Sequence, residues 1–504
     1  MVSFIIHGQT RISETLDNDM AIYTLIISVC ILCVSYLLYR RSSKLPPGPP
    51  GLPFLGNLPA LFVSKRDMHD VFTSWSKQYG PVFSVRLGSL TAVVLNDFQS
   101  MKKALAHPNL QDRPFLDYML AVPGEGLATA SGRVWFHQRK FAVNIFRNFG
   151  IGRASFEDTL RGEAAHLVEA IKGREGGSFD PEYLINNAIS NVICLVIHGR
   201  RFDYNDVNFQ QILQAFKRNM ELGLITGIST MIPLLKYFPL GAVKEILKNV
   251  KVIEKFTKEL TDGHKTKLEE DDNNVKDFTD AFLVEMKNAK KKDMEDVFND
   301  QNLLWVIGDL FAAGTETNTN TIRHALMYLL HNPAVKRKLQ NELDSVVGRD
   351  KMPRISDRPN LPYTEAFIAE CLRKTLSTIT LAHTASKSVE IFGFTIPKGA
   401  MIVPNLNSIM TDENIWSKPE VFQPERFLKN GKFSKPEEFI PFGIGRRVCL
   451  GEQFAMMELY IFITTLLHRF DILLPENKEL PSLKCAVGFT VKPLPFEMRF
   501  AERS

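Results

Sequence analysis

Residues 442–451 read FGIGRRVCLG, and Cys449 within that run is the side chain of this chain best placed to do chemistry. Just downstream, EQFAMMELYIFITTLLHRF carries apolar residues at helical spacing, which predicts a helix opening right after Gly451. A cysteine at a helix N-terminus has free N–H groups and the positive end of the helix dipole beside it, and both favour an anion. Gly443, Gly445 and Gly451 let the backbone turn tightly and leave room for something flat to lie close. A thiolate held there is a soft, strongly donating metal ligand. No Cys or His partners stand at zinc-like spacing, which argues against a four-ligand zinc site. One thiolate, a close-approach loop and adjacent arginines suit a haem carrying two propionates.

Three other stretches place reactive or charged groups where a neighbouring cofactor could use them. LFAAGTETNTNTIRHALMYLLHN lies within the apolar segment 302–332, with Glu316 and Thr317 close behind Gly314. A helical glycine costs about 1 kcal/mol relative to alanine, so Gly314 needs a reason. Two readings stand open: a kink with Thr317 bonding back to a carbonyl, or a local opening at Ala313–Gly314 beside an acid and an alcohol able to relay protons. EAFIAECLRK sets Glu370 and Arg373 three apart on one helical face, able to pair. Standing alone, that is a surface ion pair worth under about 1 kcal/mol. GRVWFHQRKF sets Trp135 and Arg139 four apart, an indole N–H and a guanidinium that suit a carboxylate; standing alone, they read as a core tryptophan beside a surface arginine.

Together these stretches resemble the cytochrome P450 family. The pattern F-x-x-G-x-R-x-C-x-G is matched by Phe442, Gly445, Arg447, Cys449 and Gly451, and the resemblance covers essentially all of 46–504. It implies that Cys449 is the proximal iron ligand, in a haem-binding loop that includes Phe442, and that Arg447 pairs with a propionate. Thiolate donation to iron favours O–O cleavage. Glu316 and Thr317 match the family's oxygen-activation pair, with Asn318 where the family often has Thr or Ser. Arg426, in FQPERF, joins Glu370 and Arg373 as the buried charge cluster that locks the segment before the haem loop. Trp135, Arg139 and His383 match propionate partners. Lys140 stands in place of a second arginine, keeping the charge but not the planar fork. The stretch 374–380 lacks the proline often found there.

The implied fold is mainly α with small β-sheets, the cytochrome P450 fold, preceded by one N-terminal transmembrane helix. The spacing of residues agrees. RDMHDVFTSWSKQYG, FEDTLRGEAAHLVEAIKG, VKVIEKFTKELTDGHKTKL and NPAVKRKLQNELDSVV repeat apolar residues every three or four positions. Strand-like pieces are short: PVFSVRLGSLTAVVL, KSVEIFGFTIPKGAMIVPN and GFTVKPLPFEMRF. Charged HKTKLEEDDNNVKD (264–277) reads as an exposed connection, and Lys290, Lys291 and Lys292 as part of a solvated loop. The run 20–39, MAIYTLIISVCILCVSYLLY, has no charge; at about 1.5 Å per residue it matches a hydrocarbon core of roughly 30 Å. Acidic residues precede it and Arg40, Arg41 and Lys44 follow, which puts the N-terminus in the lumen and the body in the cytoplasm. The expected division is therefore a lumenal tail at 1–19, an anchor at 20–39, a basic and Pro-rich linker at 40–58, and a catalytic haem domain at 59–504. Six scattered cysteines make no disulfide framework, and Cys30 and Cys33 read as lipid-buried thiols. Lys and Arg exceed Asp and Glu by 61 to 56, too mild an excess for nucleic acid without a concentrated patch.

By the same resemblance, the pocket over the haem b group draws on 115–127, 220–239, 311–312, 377–381 and 487–489. These are mostly apolar, which favours a lipophilic neutral substrate: a steroid, terpenoid, fatty-acid derivative or xenobiotic. The chain carries no nucleotide-binding glycine motif or flavin module, so electrons must come from outside. An anchored, cytoplasm-facing body in the endoplasmic reticulum membrane implies NADPH-cytochrome P450 reductase, with cytochrome b5 as a second donor. Lys140 and Arg446 are expected at that docking surface. The expected reaction inserts one atom of O2 into the substrate using NADPH-derived electrons. The alternative within this chemistry is a haem-thiolate isomerase or dehydratase acting on a peroxide without a reductase, and the Glu316–Thr317 pair speaks against it. The alternative of another class, a non-catalytic haem or lipid-binding protein, predicts no NADPH consumption.

Overall fold

The computed structural model describes residues 20–503 apart from 21, 33, 35–43, 65, 115–125, 152–155, 233–240, 271–274 and 377–380. From the Pro-rich segment the chain forms α1 (Leu58–Val63), α2 (Met68–Tyr79), β1 (Val82–Leu87), β2 (Leu90–Leu95) and α3 (Phe98–Ala106). The helical body follows: α4 (Gly132–Asn148), α5 (Glu157–Lys172), α6 (Glu182–His198), α7 (Val207–Met231), α8 (Gly241–Glu270), α9 (Phe278–Lys292), α10 (Asp300–His331), α11 (Pro333–Val346) and α12 (Pro362–Thr375). Short strands then alternate with two more helices: β3 (His383–Thr384), β4 (Val389–Ile391), β5 (Phe394–Ile396), β6 (Met401–Pro404), α13 (Leu406–Met410), β7 (Leu428–Lys429), β8 (Lys432–Phe433), α14 (Glu452–Arg469), β9 (Phe470–Leu473), β10 (Cys485–Val487), β11 (Val491–Pro493) and β12 (Arg499–Glu502).

The largest sheet among the described residues has strand order β1-β2-β6-β3. β1 and β2 pair antiparallel, β2 and β6 parallel with Val93 opposite Ile402, and β3 returns antiparallel with His383 opposite Ile402. Val93, Val94 and Leu95 are wholly buried, as a strand covered on both faces requires. Ser84 Oγ donates to the Pro46 carbonyl at 2.7 Å and Asn57 Nδ2 to that of Pro49 at 3.2 Å, so the proline segment lies against β1 and its flank.

The helical core is centred on α6, α10 and α14. α6 is buried nearly all round, and its Ile and Val residues are mediocre helix formers. Burial at roughly 1.5–3 kcal/mol per large apolar side chain outweighs that propensity cost of up to about 0.7 kcal/mol each. Tertiary packing holds this helix.

Two charged stretches differ from their reading in sequence. Residues 264–270 complete α8 rather than forming an exposed connection, because His264 is buried against Asp280 at 2.8 Å and Leu268 packs into the core. Lys290, Lys291 and Lys292 form the last turn of α9, where cations face the negative end of the helix dipole. The expected anchor at 20–39 falls partly outside the described residues. Its described portion is helical over 22–32, and among the described residues no helix is long and apolar enough to cross a membrane.

Glu370 and Arg373 are fully buried on α12. Arg373 donates through Nε and Nη2 to the two carboxylate oxygens at 2.7 and 2.8 Å, and Arg426 Nε reaches the same carboxylate at 3.2 Å. The remaining guanidinium N–H groups bind the carbonyls of Met410, Pro419 and Ser417, so the cluster ties α12 to the chain that leads into the cysteine loop. Glu370→Ala would leave two arginines without their counter-charge and should cost about 3–5 kcal/mol, whereas Glu370→Gln, which keeps an acceptor, should cost less. Urea midpoints of the two variants check that ordering.

Candidate active site

The cysteine loop is built as its glycines suggest. Gly445 has φ +87°, and a Cβ there would lie 2.4 Å from the Leu105 carbonyl oxygen of α3, so only glycine fits. The Cys449 N–H donates to the Phe442 carbonyl at 3.0 Å, closing the turn, and α14 opens at Glu452. Cys449 is exposed, but to the inside of a cleft: burial is still the largest influence on its thiol and pushes its pKa up. The Gly451 N–H and Arg139 pull the other way without prevailing. The helix N-terminus alone therefore does not make a thiolate; a bound metal ion, which deprotonates a coordinating thiol outright, would.

Arg139 acts on that sulfur, and it belongs to a wider cluster of cations that includes Arg447 and Arg113. Arg447 donates to the carbonyls of Gln111 (2.9 Å), Ala130 (2.6 Å) and Leu127 (3.4 Å), with its guanidinium 4.0 Å from the centre of the buried Trp135 ring. Arg139, one helical turn after Trp135 on α4, donates to the Val448 carbonyl at 2.5 Å. Arg113 donates to the carbonyls of Leu381 and Ala382 at 3.0 and 2.9 Å. Burial, then the charge of Arg113, lowers the pKa of Arg447 to about 8, Arg139 adding to the effect and Asp112 opposing it. His383 is held near 3 by burial and by Arg113 and Arg447. Its Nδ1 lies 3.0 Å from the Leu110 carbonyl, which can only accept, so Nδ1 carries the proton and Nε2 is left as an acceptor. A pocket so short of negative charge, beside an accessible soft donor, fits a dianionic iron porphyrin.

The helix facing this loop carries a half-accessible stripe, Asp309, Ala312, Ala313 and Thr317, along an otherwise buried face. α10 runs as one helix through Ala313 and Gly314, and Ala313 is exposed there. Gly314 serves packing: a Cβ would sit 2.3 Å from Ile193 Cδ1 of α6. Thr317 Oγ1 donates to the Ala313 carbonyl at 2.6 Å, the back-bonded reading of this residue. Glu316 turns away from Thr317 toward the β10–β11 hairpin, accepting from Asn320 at 3.4 Å and Thr490 at 3.5 Å, and burial holds its carboxyl above the usual range. Asn318 donates to the fully buried Glu458 of α14, so the residue that departs from the family pattern ties α10 to the helix behind the cysteine.

Two residues were missed in sequence. Arg113 sits in a loop with no spacing to recommend it. Asp309 accepts from the N–H groups of Leu127 and Ala128 at 2.7 and 2.9 Å and so clamps α10 to the strip of backbone whose carbonyls hold Arg447 and Arg113. Of the pocket-lining ranges, 115–125, 233–239 and 377–380 lie outside the described residues. Phe311 is stacked on Phe216 of α7 at 4.7 Å.

A long buried helix, a cysteine-bearing glycine loop at the start of another and a cluster of guanidiniums beside that loop together suit a haem-thiolate protein. Comparison with known proteins agrees: the family model Cytochrome P450 matches residues 46–500, and the chain belongs to that family. It is 37% identical to Cytochrome P450 2J2 of Homo sapiens over 470 residues, 92% of each chain. It is 36% identical to Cytochrome P450 18a1 of Drosophila melanogaster over 522 residues, 99% of this chain and 96% of the relative. Cytochrome P450 2U1 of Homo sapiens is 36% identical over 505 residues, 94% of this chain and 92% of the relative. The protein is thus a P450 monooxygenase of the animal microsomal type, using haem b, O2 and NADPH-derived electrons delivered by a reductase.

Burial raises the Asp309 pKa to about 6, above an ordinary value of 3.8, while its two N–H partners pull it down. The folded carboxyl then keeps its proton after an unfolded one has lost it, so this group's contribution to stability falls as pH rises between about 4 and 6. Asp309→Asn keeps an acceptor and removes the titration. Its stability relative to the parent should rise across that window and level off above it, as read by chemical denaturation at several pH values.

Proposed function

We propose that Cys449 would hold a haem iron through its sulfur and that Arg113, Trp135, Arg139, His383 and Arg447 would bind the propionates, with Phe442 closing the cysteine loop. The observation that carries this reading is an accessible cysteine at a helix N-terminus beside a cluster of arginines in which burial and Arg113 together lower the pKa of Arg447. When bound, the haem supplies reductive activation of O2, one atom of which enters a C–H bond while the other leaves as water.

The chain's own part is to orient substrate and manage protons. Thr317 holds a hydroxyl proton on the cleft side of α10, and breaking its bond to Ala313 frees that proton for transfer. Glu316 is the second member of the relay; burial makes its carboxyl hold a proton more firmly than a free glutamate does. Phe216 and Phe311, with Phe489 at the hairpin tip, offer apolar surface to a lipophilic neutral small molecule.

The exposed side chains Ile22, Leu25, Ile26, Ile31 and Val34 find no cover on the body, which supports 20–39 as a single membrane anchor. The topology proposed is a lumenal tail at 1–19, a linker at 40–58 and the haem domain at 59–504 on the cytoplasmic face of the endoplasmic reticulum. Cytochrome b5 is proposed as a second electron donor. Lys140 and Arg446 are both exposed, as the docking surface proposed for the reductase requires.

Cys449→Ser should abolish the red-displaced absorption band of the reduced protein under carbon monoxide; a variant that keeps the band sinks this assignment. Thr317→Val should keep consuming NADPH while product formed per NADPH falls by at least about tenfold. Unchanged coupling in a substrate-saturated assay would remove Thr317 from the relay.

A further inference from the structure

Outside the haem cleft, a second cysteine lies against a base. Cys485 is half-buried on β10, and its Sγ is 3.4 Å from Nε2 of His324 on α10. His324 is buried, and its Nδ1 lies 2.8 Å from the Asn320 carbonyl. A carbonyl can only accept, so Nδ1 carries the proton and the Nε2 lone pair is aimed at the thiol. Nucleophile, base and a third group that fixes the base's tautomer are the parts of an activated-cysteine site. Among the other described cysteines, Cys194 and Cys371 are buried, Cys449 belongs to the haem loop, and Cys30 lies in the exposed apolar N-terminal helix. The surroundings of Cys485 are apolar and accessible: Leu483 and Val487 flank it two residues away on either side, and Leu480 and Leu494 are exposed nearby in sequence on the same two arms of the hairpin.

We propose that Cys485 is a covalent modification site, a thiol that adds to lipophilic activated alkenes such as α,β-unsaturated carbonyl compounds with His324 as its base. In the addition an S–C bond forms at the β-carbon and the alkene π bond breaks, its electron pair moving onto the carbonyl as an enolate. The thiol proton passes to His324 Nε2 as sulfur attacks and is returned to the α-carbon, leaving the imidazole neutral. Nothing is oxidised and no group leaves.

The pair is neutral at rest. Burial and the Asp67 carboxylate push the Cys485 thiol up, while burial and neighbouring Arg323 lower His324 to about 4 against the pull of the Asn320 carbonyl. Tyr328 on α10 also faces the sulfur, and Lys492 on the paired strand is ion-paired with Glu221. An unassisted thiol in this setting would react slowly near neutral pH, its rate climbing tenfold per pH unit with its thiolate fraction. Transfer to an already neutral imidazole has no such dependence. The adduct would sit at the foot of a hairpin whose tip holds α7, through the Phe489 N–H to the Met220 carbonyl at 2.9 Å, and Glu316 through Thr490.

The test uses the full chain, haem-loaded and in detergent micelles, with N-ethylmaleimide as the alkene and timed peptide mass spectrometry as the readout. Cys485 should be labelled at a rate that varies less than about twofold between about pH 6 and 8, and at least about tenfold faster than in His324→Phe. A tenfold rise per pH unit in the parent protein overturns the proposal without any variant. So does an equal rate in His324→Phe that keeps its haem spectrum, or the absence of label at Cys485. A sulfonated maleimide should react more slowly than the ethyl compound; the reverse order overturns the preference for lipophilic electrophiles.

Discussion

Positive charge gathered in one cluster beside the cysteine loop is the constraint on which the rest of the structure depends. Burying a guanidinium is costly unless it is paired, and Arg447 meets only backbone carbonyls as hydrogen-bond partners. Those carbonyls offset part of the cost because they are held where the forks reach them. Asp309 holds one side, fixing the N–H groups of Leu127 and Ala128 so that their carbonyls present to Arg447 and Arg113. The Glu370 cluster holds the other, anchoring the chain before the loop. What neither supplies is a full negative charge inside the pocket, and two propionates would supply it.

α10 shows how one helix serves a packed core and a reaction cleft together. A long helix of Leu, Ile and Phe alone would be buried all round. Here polar residues interrupt that pattern in separate directions. Asp309 points to the 126–130 loop, Asn318 to Glu458, Arg323 to Asp180 and Glu182, and Thr317 back onto its own carbonyl. Asp309, Asn318 and Thr317 find hydrogen-bond partners there and Arg323 is held by ion pairs, so the helix gains fixed contacts with its neighbours while leaving Ala313 and Thr317 accessible.

The local parts of this arrangement were legible in the sequence. The cysteine loop, the Glu370–Arg373 pair and the Trp135–Arg139 face are each written within ten residues, where turn chemistry and helical spacing determine what meets what. Arg113, Asp309 and the Asn318–Glu458 bond were not, because their partners lie far off in sequence. Composition misled at 264–270, where a charged run conceals His264 paired with Asp280 and Leu268 in the core. Gly314 was read as a kink or a local opening, and neither reading named Ile193, the neighbour that a Cβ there would meet. A glycine announces close approach without saying what approaches.

The electrostatics also tie the cofactor to the fold. The Cys449 thiol is pushed up by burial, His383 is kept neutral by burial and then by two nearby arginines, and Arg447 is brought down to about 8. The displacements run in opposite directions, the thiol up and the two bases down, but each disfavours the charged form of its group and each has burial as its largest cause. Cys449 holding a haem iron, with the arginines on its propionates, would oppose these displacements, so that thiolate and guanidinium would each become the favoured state. Binding energy is thereby released into the folded protein alone, since the unfolded chain assembles no such pocket. The stability of residues 126–131 ahead of α4, of β3 and of the start of α14 would therefore be linked to haem binding, whereas the Glu370 cluster, paired with protein groups, holds its segment independently of it.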